Sequence, residues 1–524
     1  MKKALIAAVA LGLGLSLVGA LPQPEGRADR FHAQADGLAL TPPMGWYPWN
    51  IFGQEPQNEK LIKEIVDALV SSGLKDAGYA YIGPDEGICF FRGPDGKLSS
   101  NLERYPSGLR GLGDFIHQKG LRYALYTDAG TLTCSKAMPG TKGHEYDDMR
   151  AFADWRADYI KIDWCNTAGQ DIVATYSLLG EAQRAAGRPV VHSLCSWGVG
   201  YPWKWAGAIG HMWRTTSDIC GPGRADWAMA VRVAFANDKL APFAGPGRWN
   251  DPDMMIAGMP GLSEGQNRAF FSLWCQMAAP LMAGNDLRGM SPSTLAILTN
   301  LEAIAVNQDP LGIQGRVVWN DGDISLWADK PLFDGSRAVL LFVHGSIRMR
   351  HKILWEEAGF EKGDELYVRN LWTHQTSGPL TDGFSVAGLE PGEVAFLRIS
   401  KRNDFPIPPI IVADTTMLAL RAGGGSGPEK REGTVTIENK GSSPLPPWKV
   451  DPKSVPSWLT VTVAGDGKRQ TFVNTATTAG LKKGVYHAQV RADNVEPISG
   501  RPMSAFYYDV DLEVVRDVGR PERQ

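Results

Sequence analysis

The sequence predicts an α/β protein: a (β/α)8 TIM barrel followed by an antiparallel β domain and a C-terminal β-sandwich. Eight short apolar stretches alternate with amphipathic helical patterns over residues 37–314. Such alternation indicates a parallel sheet, and eight is the number of strands that closes a barrel. Beyond residue 315 the helical patterns stop and only strand patterns continue. At 524 residues the chain is too long for one hydrophobic core, which fits a division into several domains.

The predicted barrel strands are short apolar stretches, and six of the eight carry an aspartate at or near the carboxyl end. Their predicted bounds are 44–49, 79–85, 122–128, 159–165, 190–197, 211–218, 247–254 and 280–286. Aspartate can cap a following helix, but capping alone would not require so many. Because barrel enzymes build their sites at the carboxyl ends of the strands, the pattern predicts an acidic site at that face.

Helices are predicted where apolar residues recur at intervals of three and four. The apolar residues between Leu61 and Val70 share one such face, and the stretches 149–155 and 270–277 carry two more. These helices would pack around the sheet and supply the outer layer of the barrel.

Two further β units follow the barrel. The first is predicted over residues 315–402, with a hairpin turn at 320–323 and strands at 317–319, 324–327, 339–343, 366–368 and 393–399. Proline-rich and glycine-rich stretches then predict a linker over residues 403–428. A β-sandwich is predicted over residues 429–517, with strands at 434–438, 458–463, 471–474, 485–491 and 505–515.

The N-terminus has the pattern of a signal peptide over residues 1–20. Lys2 and Lys3 precede an apolar core at 4–18, and small residues follow at a plausible cleavage site. The mature protein is therefore expected to be secreted or periplasmic, where disulfides can form. A net charge of -3 gives no electrostatic case for nucleic acid or an anionic membrane as partner. The cysteines are scattered and no H-E-x-x-H occurs, so no metal site is expected.

One predicted strand carries charge on a single face. Along residues 157–166, Tyr159, Lys161, Asp163 and Cys165 alternate with apolar residues and so point to the same side. A lysine and an aspartate on a central strand are costly to bury unless they are paired, so they form either a structural ion pair or a catalytic site.

A second aspartate completes a candidate catalytic pair. Asp218 follows Arg214 at another strand end, as Asp163 follows Lys161. Cleavage of a glycosidic bond needs two carboxyl groups, one ionised and one protonated, and a nearby cation favours the ionised form. No cofactor is needed for this chemistry.

Five motifs resemble glycoside hydrolase family 27, the α-galactosidase or melibiase family, over about residues 40–399. They are Pro-Met-Gly-Trp at 43–46 with Trp49, Tyr-Thr-Asp-Ala-Gly at 126–130 with Cys134, Tyr-Ile-Lys-Ile-Asp at 159–163, Trp-Arg-Thr-Thr-Ser-Asp-Ile at 213–219 and Gly-Pro-Gly-Arg-Trp-Asn-Asp-Pro-Asp-Met at 245–254. The resemblance implies a retaining exo-glycosidase that acts on terminal α-D-galactosides.

The same resemblance implies a role for each matched residue. Asp163 would be the nucleophile and Asp218 the acid/base, while Cys134 and Cys165 would form a disulfide beside the site. The other implied substrate-binding residues are Trp49, Asp85, Glu86, Tyr126, Lys161, Ser196, Trp197, Arg214, Asp253 and Met254. Four cysteines remain without family partners, namely Cys89, Cys195, Cys220 and Cys275, and for them a Cys195–Cys220 bridge and free thiols stay open.

Departures from the family pattern leave the sugar open. Glu86 stands where the family usually has a second aspartate, and its longer side chain could crowd the exocyclic CH2OH of galactose and favour a β-L-arabinopyranoside. Ile88 replaces a tryptophan in the pocket wall. Ser196 stands where galactose-specific members often have glutamate, which keeps an α-N-acetylgalactosaminidase as a further alternative.

Residues 454–515 resemble a BACON-type β-sandwich, on the motif Pro-Ser-Trp-Leu-Thr-Val at 456–461 and Gly-Val-Tyr at 484–486. Such a unit either binds glycans or acts as a spacer. Outside the enzyme class, an inactive carbohydrate-binding protein would have lost one of the two catalytic aspartates, and both are present. Metal-assisted hydrolysis would require a cluster of histidine and aspartate ligands that the sequence does not show.

Overall fold

Eight parallel strands form the first sheet of the computed structural model, which describes residues 36–423, 428–495 and 502–515. They are β1 Met44–Trp46, β2 Tyr81–Ile82, β3 Arg122–Asp128, β4 Tyr159–Asp163, β5 Val191–Cys195, β6 Met212–Arg214, β7 Trp249–Asp251 and β8 Leu281–Ala283. The strand order is β8-β1-β2-β3-β4-β5-β6-β7, and a parallel bridge between Met255 and Ala283 joins the two ends of the sheet. The predicted barrel is confirmed. The predicted signal peptide at 1–20 lies outside the described residues.

The helices surround this sheet with their apolar faces inward. They are α1 Trp49–Phe52, α2 Glu59–Ser71, α3 Gly108–Gln118, α4 Glu145–Asp154, α5 Ile172–Ala186, α6 Trp227–Asp238, α7 Glu264–Gln276, α8 Pro292–Leu298 and α9 Leu301–Asn307. In α2 the predicted face is buried from Leu61 to Leu69, and the side chain of Asn58 caps the first turn. None of the described helices has the length and apolarity needed to cross a bilayer.

Most barrel strands are shorter than predicted, and two of them are followed by residues whose backbone is not extended. Trp197 has a φ of 50° and Asp253 a φ of 135°, and neither conformation continues a strand. Asp85, Asp218 and Asp253 lie in the loops that follow their strands. Strand β3 is the exception, since it runs over the whole predicted stretch.

The second unit is antiparallel and has no helix in the described residues from 316 to 400. Its strands are β9 Arg316–Asn320, β10 Ile324–Pro331, β11 Arg337–Val343, β12 Met349–Ile353, β13 Leu366–Asn370, β14 Thr376–Leu380, β15 Phe384–Leu389 and β16 Val394–Ser400. Six of them form a sheet in the order β9-β10-β11-β16-β13-β14, and β12 pairs with β15. Strands β12, β14 and β15 were not predicted; β14 is largely exposed and contains Pro379, so it lacks the alternation of a half-buried strand.

The third unit is a β-sandwich of two four-stranded sheets. Its strands are β17 Ile411–Ala413, β18 Met417–Ala422, β19 Lys430–Asn439, β20 Lys449–Val450, β21 Leu459–Gly465, β22 Arg469–Thr477, β23 Gly484–Val495 and β24 Pro502–Val514. The sheet orders are β17-β19-β22-β21 and β18-β24-β23-β20. Strands β17 and β18 lie inside the stretch predicted as a linker, so the sandwich begins earlier than expected. Strand β18 pairs with β24 along its whole length, and this pairing makes residues 417–422 part of the sandwich. No local sequence pattern indicates such a pairing.

This sandwich packs against the amino-terminal ends of the barrel strands. Arg188 lies just before β5 and joins the units, with Nη1 3.0 Å from Oδ1 of Asp509 and Nη2 2.6 Å from Oδ1 of Asp158. Arg156 pairs with Asp511 in the same interface. Arg156, Arg188 and Asp509 are all buried. The contact is therefore a buried ionic one, at the end of the barrel opposite the carboxyl ends of its strands.

Candidate active site

The predicted site residues follow or end strands β1 to β7, at their carboxyl ends. Strand β4 carries Lys161 and Asp163, and the parallel register places Tyr126 of β3 beside Lys161 and Asp128 beside Asp163. Side chains that alternate along neighbouring parallel strands in register point into the same space. The strand pairing thus brings two segments that are distant in sequence into one pocket.

The two carboxylate oxygens of Asp163 have different surroundings. Oδ2 accepts a hydrogen bond of 2.9 Å from the hydroxyl of Tyr126. Oδ1 has no hydrogen-bond partner among the described residues and lies 4.0 Å from Nζ of Lys161. Burial raises the pKa of Asp163 to about 6, although Lys161 acts in the opposite direction. One oxygen is thus held in place by a hydrogen bond, while the other has none among the described residues.

Lys161 connects Asp163 to the end of β2. Its Nζ lies 3.1 Å from Oδ2 of Asp85, and Oδ1 of Asp85 accepts a hydrogen bond of 2.8 Å from the backbone N–H of Glu86. Burial lowers the pKa of Lys161, but Asp163 and Asp85 outweigh this effect and leave the pKa above its ordinary value. The lysine is therefore a fixed positive charge between two carboxylates.

Glu86 is buried and turns toward the loop that follows β3. Its Oε1 accepts hydrogen bonds of 2.9 Å from the backbone N–H of Ser135 and 2.7 Å from the Ser135 hydroxyl. Only 2% of the Glu86 residue surface is exposed. The extra methylene group of glutamate thus lets this carboxylate reach a different loop from the one that carries it.

Asp218 stands on the other side of the site in a network centred on Arg214. Nη2 of Arg214 lies 2.8 Å from Oδ1 of Asp218 and 3.1 Å from Oδ2 of Asp253. The indole N–H of Trp197 also donates to Oδ1 of Asp218, at 3.0 Å. About half of the Asp218 side chain (53%) is exposed, so this carboxylate faces the opening of the pocket.

The pKa values of the two candidate catalytic groups are shifted in opposite directions. Burial raises the pKa of Asp218, but the charge and hydrogen bond of Arg214 outweigh it and hold the pKa below its ordinary value. For Asp163 burial prevails and the pKa is raised. In the unliganded site Asp163 is therefore the more basic of the two carboxyl groups, and Asp218 is the one held as an anion.

Three other predicted residues, Trp49, Ser196 and Met254, follow strands β1, β5 and β7. Trp49 begins α1 and is half-buried, and Met254 is partly buried against a cluster that contains Tyr47. Ser196 is different, because its hydroxyl donates to the carbonyl of Val199 in its own turn, at 3.1 Å. That hydrogen bond uses the Ser196 hydroxyl to hold the loop after β5.

The disulfide between Cys134 and Cys165 is present beside Asp163. The sulfur of Cys134 lies 3.5 Å from Oδ2 of Asp163, so the bridge forms part of the wall around the carboxylate. The other four cysteines are free thiols, which excludes the Cys195–Cys220 alternative. Cys195 nevertheless lies in the site, with its sulfur 3.7 Å from Nη1 of Arg214.

Three residues of the site had no individual role in the prediction, namely Asp128, Ser135 and Asp251, although Asp128 was one of the aspartates expected at strand ends. Burial raises the pKa of Asp128 to about 8 and that of Asp251 to about 6. Asp128 accepts hydrogen bonds from the backbone N–H groups of Gly130 and Cys165, at 2.7 and 2.9 Å, and so joins the loops after β3 and β4. Asp128 and Asp251 could have been found from the sequence, because they lie inside the motifs at 126–130 and 245–254. For Ser135 the only sequence signal was its position directly after Cys134.

Comparison with known proteins identifies related chains. The family model for alpha galactosidase A matches residues 41–309, and the model for the alpha galactosidase C-terminal beta sandwich domain matches residues 321–399. Both matches end before the third unit of this chain.

The relatives are similar over most of their length. Alpha-galactosidase 2 of Arabidopsis thaliana is 43% identical over 382 residues, which cover 72% of this chain and 94% of the relative. Alpha-galactosidase A of Cellvibrio japonicus is 41% identical over 409 residues, which cover 74% and 98%. The crystal structure of α-galactosidase I from Mortierella vinacea has a TM-score of 0.65 at 29% identity, covering 70% of this chain and 99% of that one.

Proposed function

Since the chain belongs to the α-galactosidase family of glycoside hydrolases, family 27, we propose that it hydrolyses terminal α-D-galactosides with retention of configuration. The observation that carries the proposal is the asymmetry of Asp163. Tyr126 holds Oδ2, while Oδ1 is free of hydrogen bonds among the described residues and lies on the side of Lys161. A carboxylate that must attack carbon needs one oxygen positioned and the other unengaged.

In the first step Oδ1 of Asp163 forms a bond to the anomeric carbon as the glycosidic C–O bond breaks. Asp218 gives its proton to the leaving oxygen, so the aglycone departs as a neutral alcohol. In the second step Asp218, now ionised, takes a proton from water, and that water displaces Asp163 from the same carbon. Two inversions restore the original configuration, and the enzyme returns to its starting protonation state.

The first step requires a proton on Asp218, whose pKa is low in the free enzyme because of Arg214. Nη2 of Arg214 serves both Asp218 and Asp253. When a sugar hydroxyl takes a hydrogen bond from this guanidinium, Asp218 loses part of its stabilisation as an anion. Substrate binding would then raise the pKa of Asp218 and favour the acid form where it is needed.

A second candidate substrate is a β-L-arabinopyranoside, and the observation that favours it is Glu86. This sugar has the ring stereochemistry of α-D-galactose without the exocyclic CH2OH group. Glu86 stands beside Asp85 at the end of β2, and its carboxylate would fill the space of that group if it turned away from Ser135. The mechanism by Asp163 and Asp218 would be the same for both sugars.

We also propose that the protein is exported from the cytoplasm. Residues 1–20 have the pattern of a signal peptide, and the Cys134–Cys165 disulfide is expected to persist in an oxidising compartment.

Azide rescue of two alanine variants tests the assignment of the aspartates. With a nitrophenyl α-D-galactoside, Asp163→Ala should lose turnover and regain it with azide, giving the β-galactosyl azide, because azide attacks the face that Asp163 left. Asp218→Ala is the matched control: it still forms the glycosyl-enzyme, so azide should give the α-galactosyl azide. Full activity of Asp163→Ala without azide, or the same anomer from both variants, would overturn the assignment.

A further inference from the structure

Ser135 is the residue that fixes the direction of the Glu86 carboxylate. Its backbone N–H and its hydroxyl both donate to the same oxygen, Oε1, at 2.9 and 2.7 Å. The Ser135 hydroxyl in turn accepts a hydrogen bond of 2.5 Å from the side-chain amide of Gln54. Two donors on one oxygen, one of them oriented by a third residue, hold the carboxylate in a single position.

The loop that carries Ser135 is itself anchored. Ser135 follows Cys134, whose disulfide to Cys165 ties this loop to the end of β4, two residues after Asp163. The backbone of Glu86 is fixed as well, since its N–H donates to Asp85. Both ends of the Glu86–Ser135 contact are therefore fixed relative to the reacting centre.

The contact depends on the length of the glutamate side chain. An aspartate at position 86 would be shorter by one carbon–carbon bond and would fall short of Ser135 unless the backbone moved. Asp85, the neighbouring residue, directs its Oδ2 toward Lys161 in the pocket. Without Ser135, the Glu86 carboxylate could rotate toward that same side of the pocket.

We propose that Ser135 is a positioning residue that determines sugar specificity. By drawing Glu86 toward the loop after β3, it leaves room for the exocyclic CH2OH of a galactoside although a glutamate stands at this position. Loss of the Ser135 hydroxyl leaves only the backbone N–H on Oε1, so the Glu86 carboxylate turns more often toward the sugar, where it obstructs hexopyranosides more than pentopyranosides. This inference rests on the proposed function, because it concerns the choice between two substrates of that site.

The experiment measures kcat/KM for nitrophenyl α-D-galactopyranoside and nitrophenyl β-L-arabinopyranoside and compares their ratio among variants. Ser135→Ala should lower the galactoside-to-arabinopyranoside ratio about tenfold. Ser135→Thr, which keeps the hydroxyl, should remain close to the wild-type ratio. In a Glu86→Asp background, Ser135→Ala should leave the ratio unchanged, since the shorter carboxylate does not reach residue 135.

The outcomes separate this inference from the proposed function. If the wild-type protein hydrolyses neither glycoside, both fall. If the wild-type protein hydrolyses either glycoside but Ser135→Ala keeps the wild-type ratio, only the role of Ser135 is overturned. The same holds if Ser135→Ala shifts the ratio equally in the wild-type and the Glu86→Asp backgrounds. Should Ser135→Ala fail to fold, Ser135→Gly removes the same hydroxyl, and an unchanged ratio in that variant would equally count against the inference.

Discussion

Replacing Asp163 with asparagine removes a buried negative charge and is expected to stabilise the fold at neutral pH while abolishing turnover. Only 6% of the Asp163 residue surface is exposed, and burial raises its pKa from the ordinary 3.8 to about 6. At about 1.4 kcal/mol per pKa unit, the ionised side chain costs the folded state up to about 3 kcal/mol above pH 6. Asparagine has nearly the same shape and can still accept the hydrogen bond from Tyr126.

The stabilisation expected from Asp163→Asn depends on pH. Folding raises the pKa of Asp163, so the folded protein holds this proton more tightly than the unfolded chain does. The cost is absent below about pH 4, where both states are protonated, and grows as the pH rises toward 6. The advantage of Asp163→Asn should therefore be full at pH 7 and disappear near pH 4.

Thermal unfolding at the two pH values measures the effect. For a domain of the size of the barrel, a gain of about 3 kcal/mol in the free energy of unfolding corresponds to a rise in Tm of about 3–5 °C at pH 7. Asp154→Asn, at an exposed residue of α4, is the matched control and should leave Tm unchanged. A variant that is no more stable than the wild type at pH 7, or equally stabilised at pH 4, would refute the reasoning.

Two further predictions concern the disulfide and the sandwich interface. Replacing both Cys134 and Cys165 with serine should lower the free energy of unfolding by about 2–4 kcal/mol and reduce activity. The control is Cys220→Ser, at a free thiol, which should change Tm little. Equal Tm values for the double variant and the control would contradict the prediction. Asp509→Ala should lower the free energy of unfolding by about 3–5 kcal/mol, because it leaves the buried Arg188 without one of its two carboxylates, and it should preserve activity at 25 °C. The control is Glu513→Ala, at an exposed residue of the same strand. An unaltered Tm for Asp509→Ala would contradict the prediction.

The barrel could be predicted because its signals are local and repeated. Short apolar runs, the helical spacing between Leu61 and Val70, and the aspartates near the strand ends are all visible in short stretches of sequence. The same signals fail at β14 and β18. The first is exposed and does not alternate, while the second is a strand only because β24 lies beside it.

The site shows the same division. Asp163 and Lys161 could be placed on one strand face from alternation alone, but their partners could not. The Glu86–Ser135 contact joins residues 49 positions apart, and it depends on how two loops are folded. The Cys134–Cys165 pairing followed from family resemblance and not from spacing. Hydrogen bonds between loops leave no periodic trace, so they had to be read from the structure.

The placement of the sandwich determines which way the protein faces. Arg156 and Arg188 join this unit to the barrel at the end opposite the catalytic pocket, through charges that are buried. It is therefore a fixed base and not a tethered arm that could fold back over the pocket. Any surface or partner that holds the protein by this base would leave the mouth of the pocket turned outward, open to sugars arriving from the surrounding medium.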